Sequence, residues 1–138
     1  MAGGFRVLEH TADVGLEAWG ADTAEAFASA ARGMFAIMVE LEEVREREER
    51  HICVTAASEE DLLVAWLGEL LYYLDTENRL FCRFEIERLE GGQLEARAFG
   101  EVAEAGRHHF KAVIKAVTYH MLEIDHTRGC RVRVLFDI

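Results

Sequence analysis

The residues with the clearest capacity for chemistry are acids. The stretch HTAD at positions 10–13 sets Asp13 close to His10, and the sequence ends RVRVLFDI, so Asp137 stands next to the α-carboxylate of Ile138. Val132, Val134 and Phe136 alternate along an apolar face, which sends Asp137 to the opposite side of the strand. If the loop His10 to Asp13 lies beside that terminus, three carboxylates meet. Such a cluster is unfavourable unless a cation, an arginine or protonation offsets it. A divalent metal ion is the simplest solution. Oxygen donors suit calcium, magnesium or manganese, and His10 as a further ligand favours manganese or zinc. The alternative is an Asx-type turn at Asp13 and an arginine partner for Asp137.

Lys115 is a second candidate, because Lys111 and Lys115 are the only lysines in a basic set otherwise made of arginine. A lysine there contacts a phosphate or carboxylate as a point charge, serves as an acid or base, or faces solvent. His108, His109, His120 and His126 match no zinc-ligand spacing such as HExxH. Surface positions are expected for all of them but His120, which either orients an acidic ligand or is a satisfied, hydrogen-bonded histidine. Cys53, Cys82 and Cys130 form no CxxC pair and read as small core hydrophobes. There is no P-loop, no GxSxG, no GxGxxG after a strand and no nucleophile beside a base, which argues against an autonomous nucleotide-using enzyme or a stand-alone metal-dependent hydrolase.

The elements that must position these residues follow from periodicity. FRVLE and VGLEAWG read as strands around the HTAD break. Asp22 or Thr23 caps a helix whose Phe27, Ala30, Ala31, Met34, Phe35 and Met38 form one apolar stripe, with Glu25 placed for a capping box. LEEVREREER is ambiguous between helix and strand, and ICVTA is extended. Ser58 and Asp61 open a second helix lined by Leu63, Trp66, Leu67, Leu70, Leu71 and Leu74. RLFCRFEIERL and QLEARAFGEV form a hairpin at Gly91–Gly92, with Cys82, Phe84 and Ile86 sharing a face. VIKAVTY is expected to be a short helix, followed by a hairpin with its turn at Thr127 to Gly129. The result is an α+β fold: a single domain over 1–138, with a largely antiparallel sheet and two long helices packed on one face.

The chain of 138 residues, 51% of them hydrophobic, is long enough for a continuous core. Fifteen Lys+Arg against twenty-six Asp+Glu leave a formal charge of −11. That balance is the reverse of what non-specific nucleic-acid binding requires, so a basic protein partner is expected rather than stable RNA or DNA binding. No apolar run reaches membrane-span length and no secretory leader is present, so a cytoplasmic protein without membrane contact is expected.

The set EHTADVGLEAWG, DLLVAWLGELLYYLDTE, IKAVTYHMLEI and a terminal FDI resembles the archease family over nearly the whole chain. The resemblance implies a non-catalytic activator of the GTP-dependent RNA ligase of tRNA splicing, one that promotes guanylylation of the ligase and its multiple turnover. It implies a metal site at Asp13 and Asp137 with the carboxylate of Ile138, calcium being the first choice of ion and manganese, magnesium or zinc the others. His10, Lys115 and His120 match the family's HTAD and KAVTYH motifs and are expected around that site as orienting or partner-contacting groups. Cys130 departs from the aromatic residue expected there. The alternative function is a general chaperone or modulator of nucleic-acid-processing enzymes.

Overall fold

The computed structural model describes residues 3–9 and 13–138. The elements run β1 (Gly4–Glu9), β2 (Asp13–Gly20), α1 (Thr23–Met38), a 3-10 turn (Leu41–Glu43), β3 (Glu48–Thr55), α2 (Glu59–Glu77), β4 (Arg79–Glu90), β5 (Gln93–Val102), β6 (Ala116–Asp125) and β7 (Cys130–Asp137). Both helices start at the expected caps. The Asp22 carboxylate accepts from the Glu25 N–H at 2.9 Å, while Glu25 reaches back to the Ala21 N–H at 2.8 Å. Ser58 Oγ accepts from the Asp61 N–H at 3.1 Å. These bonds satisfy N–H groups that a helix start leaves without partners. Asn78 ends α2 in the left-handed conformation, φ 55°, and its N–H bonds the Leu74 carbonyl.

The antiparallel α+β arrangement is the one expected, but the strands divide into two sheets, β1-β2-β7-β6 and β3-β5-β4. Each helix packs against strands of both sheets, so one core serves all layers. Phe27, Phe35, Leu63, Trp66, Phe81 and Phe136 are fully or almost fully buried there. The Phe35–Phe81 and Trp66–Phe84 rings meet edge to face, with centroids 5.8 and 5.9 Å apart. Trp66 Nε1 donates to the Phe27 carbonyl at 3.0 Å, which fixes α2 against α1.

Two local expectations are corrected. The segment read as a short helix is largely the edge strand β6, in which Val117 pairs with Phe136 and Thr118 with Leu135. A helix of that length is marginal, whereas β7 offers β-branched residues a ready ladder. The simple alternation in β4 is broken by bulges at Cys82 and Glu87, so that Phe81 and Phe84, three residues apart, both reach the core. The ambiguous stretch after α1 becomes the 3-10 turn and then β3. Both hairpins stand where expected: Gly91 and Gly92 have φ of 59° and 75°, as a type I′ turn needs, and Gly129 has φ 61° at the β6–β7 turn.

Candidate metal centre

Strands β2 and β7 pair antiparallel, and their register sets Asp13 directly opposite Asp137. Directly opposed residues of an antiparallel pair project from the same face. The next pair, Val14 with Phe136, turns toward the core. The carboxylates of Asp13 and Asp137 therefore leave the sheet on the side away from Phe136. Asp137 also pairs with Ala116 of β6, and its carbonyl accepts the Lys115 N–H at 2.7 Å. Both neighbouring strands thus fix the backbone of Asp137 at the end of the sheet.

The floor of this corner is apolar. Leu135 sits one row further in, opposite Gly15, and is 1% exposed. A Cβ on Gly15 would come within 2.8 Å of Leu135 Cδ2, so glycine is what lets that side chain lie across β2. Asp13 Oδ1 is buried and has no hydrogen-bond partner among the described residues. An acceptor left in that condition costs free energy that a cation at the site would recover. The arginines on the same face are committed elsewhere: Arg131 to Glu17, Glu123 and Asp125, and Arg133 to Glu123. Asp13 lies in β2, and among the described residues no arginine pairs with Asp137. Asp13, Asp137 and the adjacent Ile138 offer oxygen alone, a donor set that fits a hard divalent ion such as calcium. Asp137 and Ile138 are exposed, so an ion held here faces solvent.

The remaining sequence-predicted residues lie differently. His10 falls outside the described residues. Lys115 joins the corner through its backbone, while its side chain lines a groove of about 290 Å³ with Val64, Tyr72 and Asp75 of α2. His120 is exposed in an irregular stretch of β6, between Thr118 and Glu123, where pairing with β7 lapses. Met121 beside it has φ 55°.

The histidine that the fold buries is His108, 4% exposed, which corrects its assignment to the surface. Its Nδ1 accepts the Glu104 N–H at 2.9 Å, which places the proton on Nε2, 2.9 Å from Glu101 Oε2 and 3.0 Å from the Glu43 carbonyl. Glu101, 3% exposed, also accepts from the Arg45 N–H at 2.8 Å and from Arg107 Nη2 at 2.6 Å. The Arg107 bond above all, with those from Arg45 and His108, holds its carboxyl at about 2. This network and the Lys111 N–H to Met38 carbonyl bond, 2.7 Å, secure the segment leading to Lys115 and Asp137. Only the pairing of one acid and one histidine seven residues apart hinted at it in the sequence. Cys53 is exposed and Cys82 partly so, and Cys130 alone is the buried core thiol expected of all three.

Residues 5–138 match the model of the Archease protein family. The chain is similar to protein archease of Methanothermobacter thermautotrophicus, 39% identical over 98% of this chain and 99% of that one. It is likewise similar to protein archease of Methanosarcina mazei, 38% identical over 97% and 95%. Among solved structures, the solution structure of Methanobacterium thermoautotrophicum protein 1598 superposes with a TM-score of 0.86 at 37% identity, covering 98% of this chain and 99% of that one.

Proposed function

The chain belongs to the archease family, and from that we propose that it activates a GTP-dependent RNA ligase by promoting guanylylation of the ligase and its multiple turnover. In this reading it carries no catalytic residue of its own. The observation that carries the proposal is the register of Asp13 opposite Asp137, with one oxygen of Asp13 buried and unpartnered among the described residues. Asp13, Asp137 and the carboxylate of Ile138 hold a divalent ion, calcium first, at the exposed end of the sheet. Such an ion supplies positive charge for developing phosphate negative charge. The chain's own part is to fix the carboxylates through β2, β7 and the Lys115 backbone, and to present them to the ligase near its GTP site. The charge of −11 steers the chain toward a basic RNA-binding face, in an encounter that salt weakens. His120, exposed on the edge strand, is assigned to partner contact, as is Lys115.

The test is the rate of GTP-dependent guanylylation of the cognate ligase, with and without this chain, and with folded Asp13→Ala and Asp137→Ala variants. Acceleration by the wild type that both variants lose is the expected result. If the wild type gives none at saturating metal, the activator reading fails and a general chaperone becomes the better account.

A further inference from the structure

We propose that the outer face of the β3-β5-β4 sheet holds a second metal site, for zinc, built from His51, Cys53 and Glu95. One donor atom from each of these residues lies within 4.8 Å of the others. His51 and Cys53 stand two apart on β3 and so share a face, and Glu95 of β5 is directly opposite Cys53. Ile52, Leu94 and Ala96, their alternating neighbours, are buried in the core, which commits the three donors to the outside. Cys53 Sγ and His51 Nδ1 are 3.8 Å apart. With Zn–S of about 2.3 Å and Zn–N of about 2.0 Å, a tetrahedral angle separates these atoms by about 3.5 Å. The observed pair needs only a few tenths of an ångström of adjustment.

The surroundings point the same way. His51 Nε2 faces Glu87 Oε1 at 3.7 Å, and the other oxygen of Glu87 is 3.1 Å from Arg97 Nε. At 3.7 Å Glu87 does not yet hydrogen-bond Nε2, but a small side-chain movement on metal binding brings it there, which holds the proton on Nε2 and leaves Nδ1 with a lone pair for the metal. Arg88 Nη1 lies 3.5 Å from Glu95 Oε2, which leaves the other oxygen of Glu95 for the ion. Thiolate, imidazole and carboxylate together suit zinc, whereas calcium and magnesium take oxygen. The thiol proton passes to solvent on binding, and the thiolate and carboxylate then balance the dication. Three protein ligands leave a fourth position for water or for a donor from a partner. This site is on a different sheet from Asp13 and Asp137 and does not depend on the ligase reading.

The experiment is titration of the reduced, metal-free full chain with Co²⁺, followed by displacement with Zn²⁺. Expected are a near-ultraviolet thiolate-to-cobalt charge-transfer band and intense visible bands saturating at one ion per chain. Cys53→Ser, which keeps Cys82 and Cys130, abolishes the charge-transfer band. Glu87→Gln keeps it but weakens zinc binding by about 10–100-fold. Asp137→Asn keeps the charge-transfer band. Absence of the band in the wild type, or its persistence in Cys53→Ser, overturns the assignment.

Discussion

Replacing Glu101 by glutamine removes the buried charge on which Arg107, His108 and the Arg45 N–H converge. An amide presents one acceptor and one donor group in place of two acceptors, so at least one of those three donors faces an NH₂ instead of an oxygen. The Glu101 carboxyl titrates at about 2 in the folded chain. Against about 4.3 for an unfolded glutamate, that difference is worth about 3 kcal/mol of folding free energy. Because the folded value is depressed, this stability is present above about pH 4.3 and is lost as pH falls toward about 2. Glu101→Gln is therefore expected to cost about 3 kcal/mol at neutral pH, or about 10 °C in melting temperature for a chain of this size. At pH 3 the gap to wild type narrows to about half, since part of the wild-type advantage has gone by then. Urea unfolding of both proteins at the two pH values measures this. A neutral-pH loss under about 1 kcal/mol, or a gap that does not change with pH, would refute the assignment of Glu101 as an ionised anchor. Faster amide exchange at Lys111 and Lys115 in the variant would show that the network reaches the metal corner.

Other perturbations separate the parts of the molecule. Calcium at about 100 times its dissociation constant is expected to stabilise the wild type by about 2.7 kcal/mol, read as a rise in melting temperature, and Asp137→Asn is expected to lose that rise. Without metal the same variant is expected to match or exceed the wild type by about 0.2–1 kcal/mol, because two opposed cross-strand charges become one; a metal-free loss would show that Asp137 is structural. Trp66→Phe removes the donor to the Phe27 carbonyl and leaves space in a fully buried position. Its expected cost is about 2–4 kcal/mol in urea unfolding with an unchanged m-value.

The two helices were legible because their signals are local. A capping residue, an acid three positions later and an apolar stripe at helical spacing all fall within one window, and Asp22, Glu25, Ser58 and Asp61 sit in the structure as that pattern requires. The hairpin turns at Gly91–Gly92 and Gly129 are legible for the same reason, since positive φ selects glycine. The start of β6 is not legible locally, because VIKAVTY is short and its β-branched residues suit helix or strand until β7 supplies partners. The bulges in β4 left no mark in the alternation of the sequence, because a bulge depends on how two strands fit and not on one of them.

Asp13 and Asp137 stand out in the sequence as acids in the motifs HTAD and FDI. That they stand opposite each other is a property of the β2–β7 register, which joins residues 124 positions apart, and no local pattern encodes it. His108 and His120 show the same limit in reverse: identical side chains, one enclosed by Glu101, Glu43 and Glu104, the other left on an edge strand. By itself the sequence determined the helices, the turns, the acidic charge and the residue types available for chemistry, all of which depend on neighbours along the chain. The tertiary structure alone decided which acids meet, which histidine is buried and which cysteine faces a histidine and a glutamate, because those depend on contacts across strands that chain order does not specify.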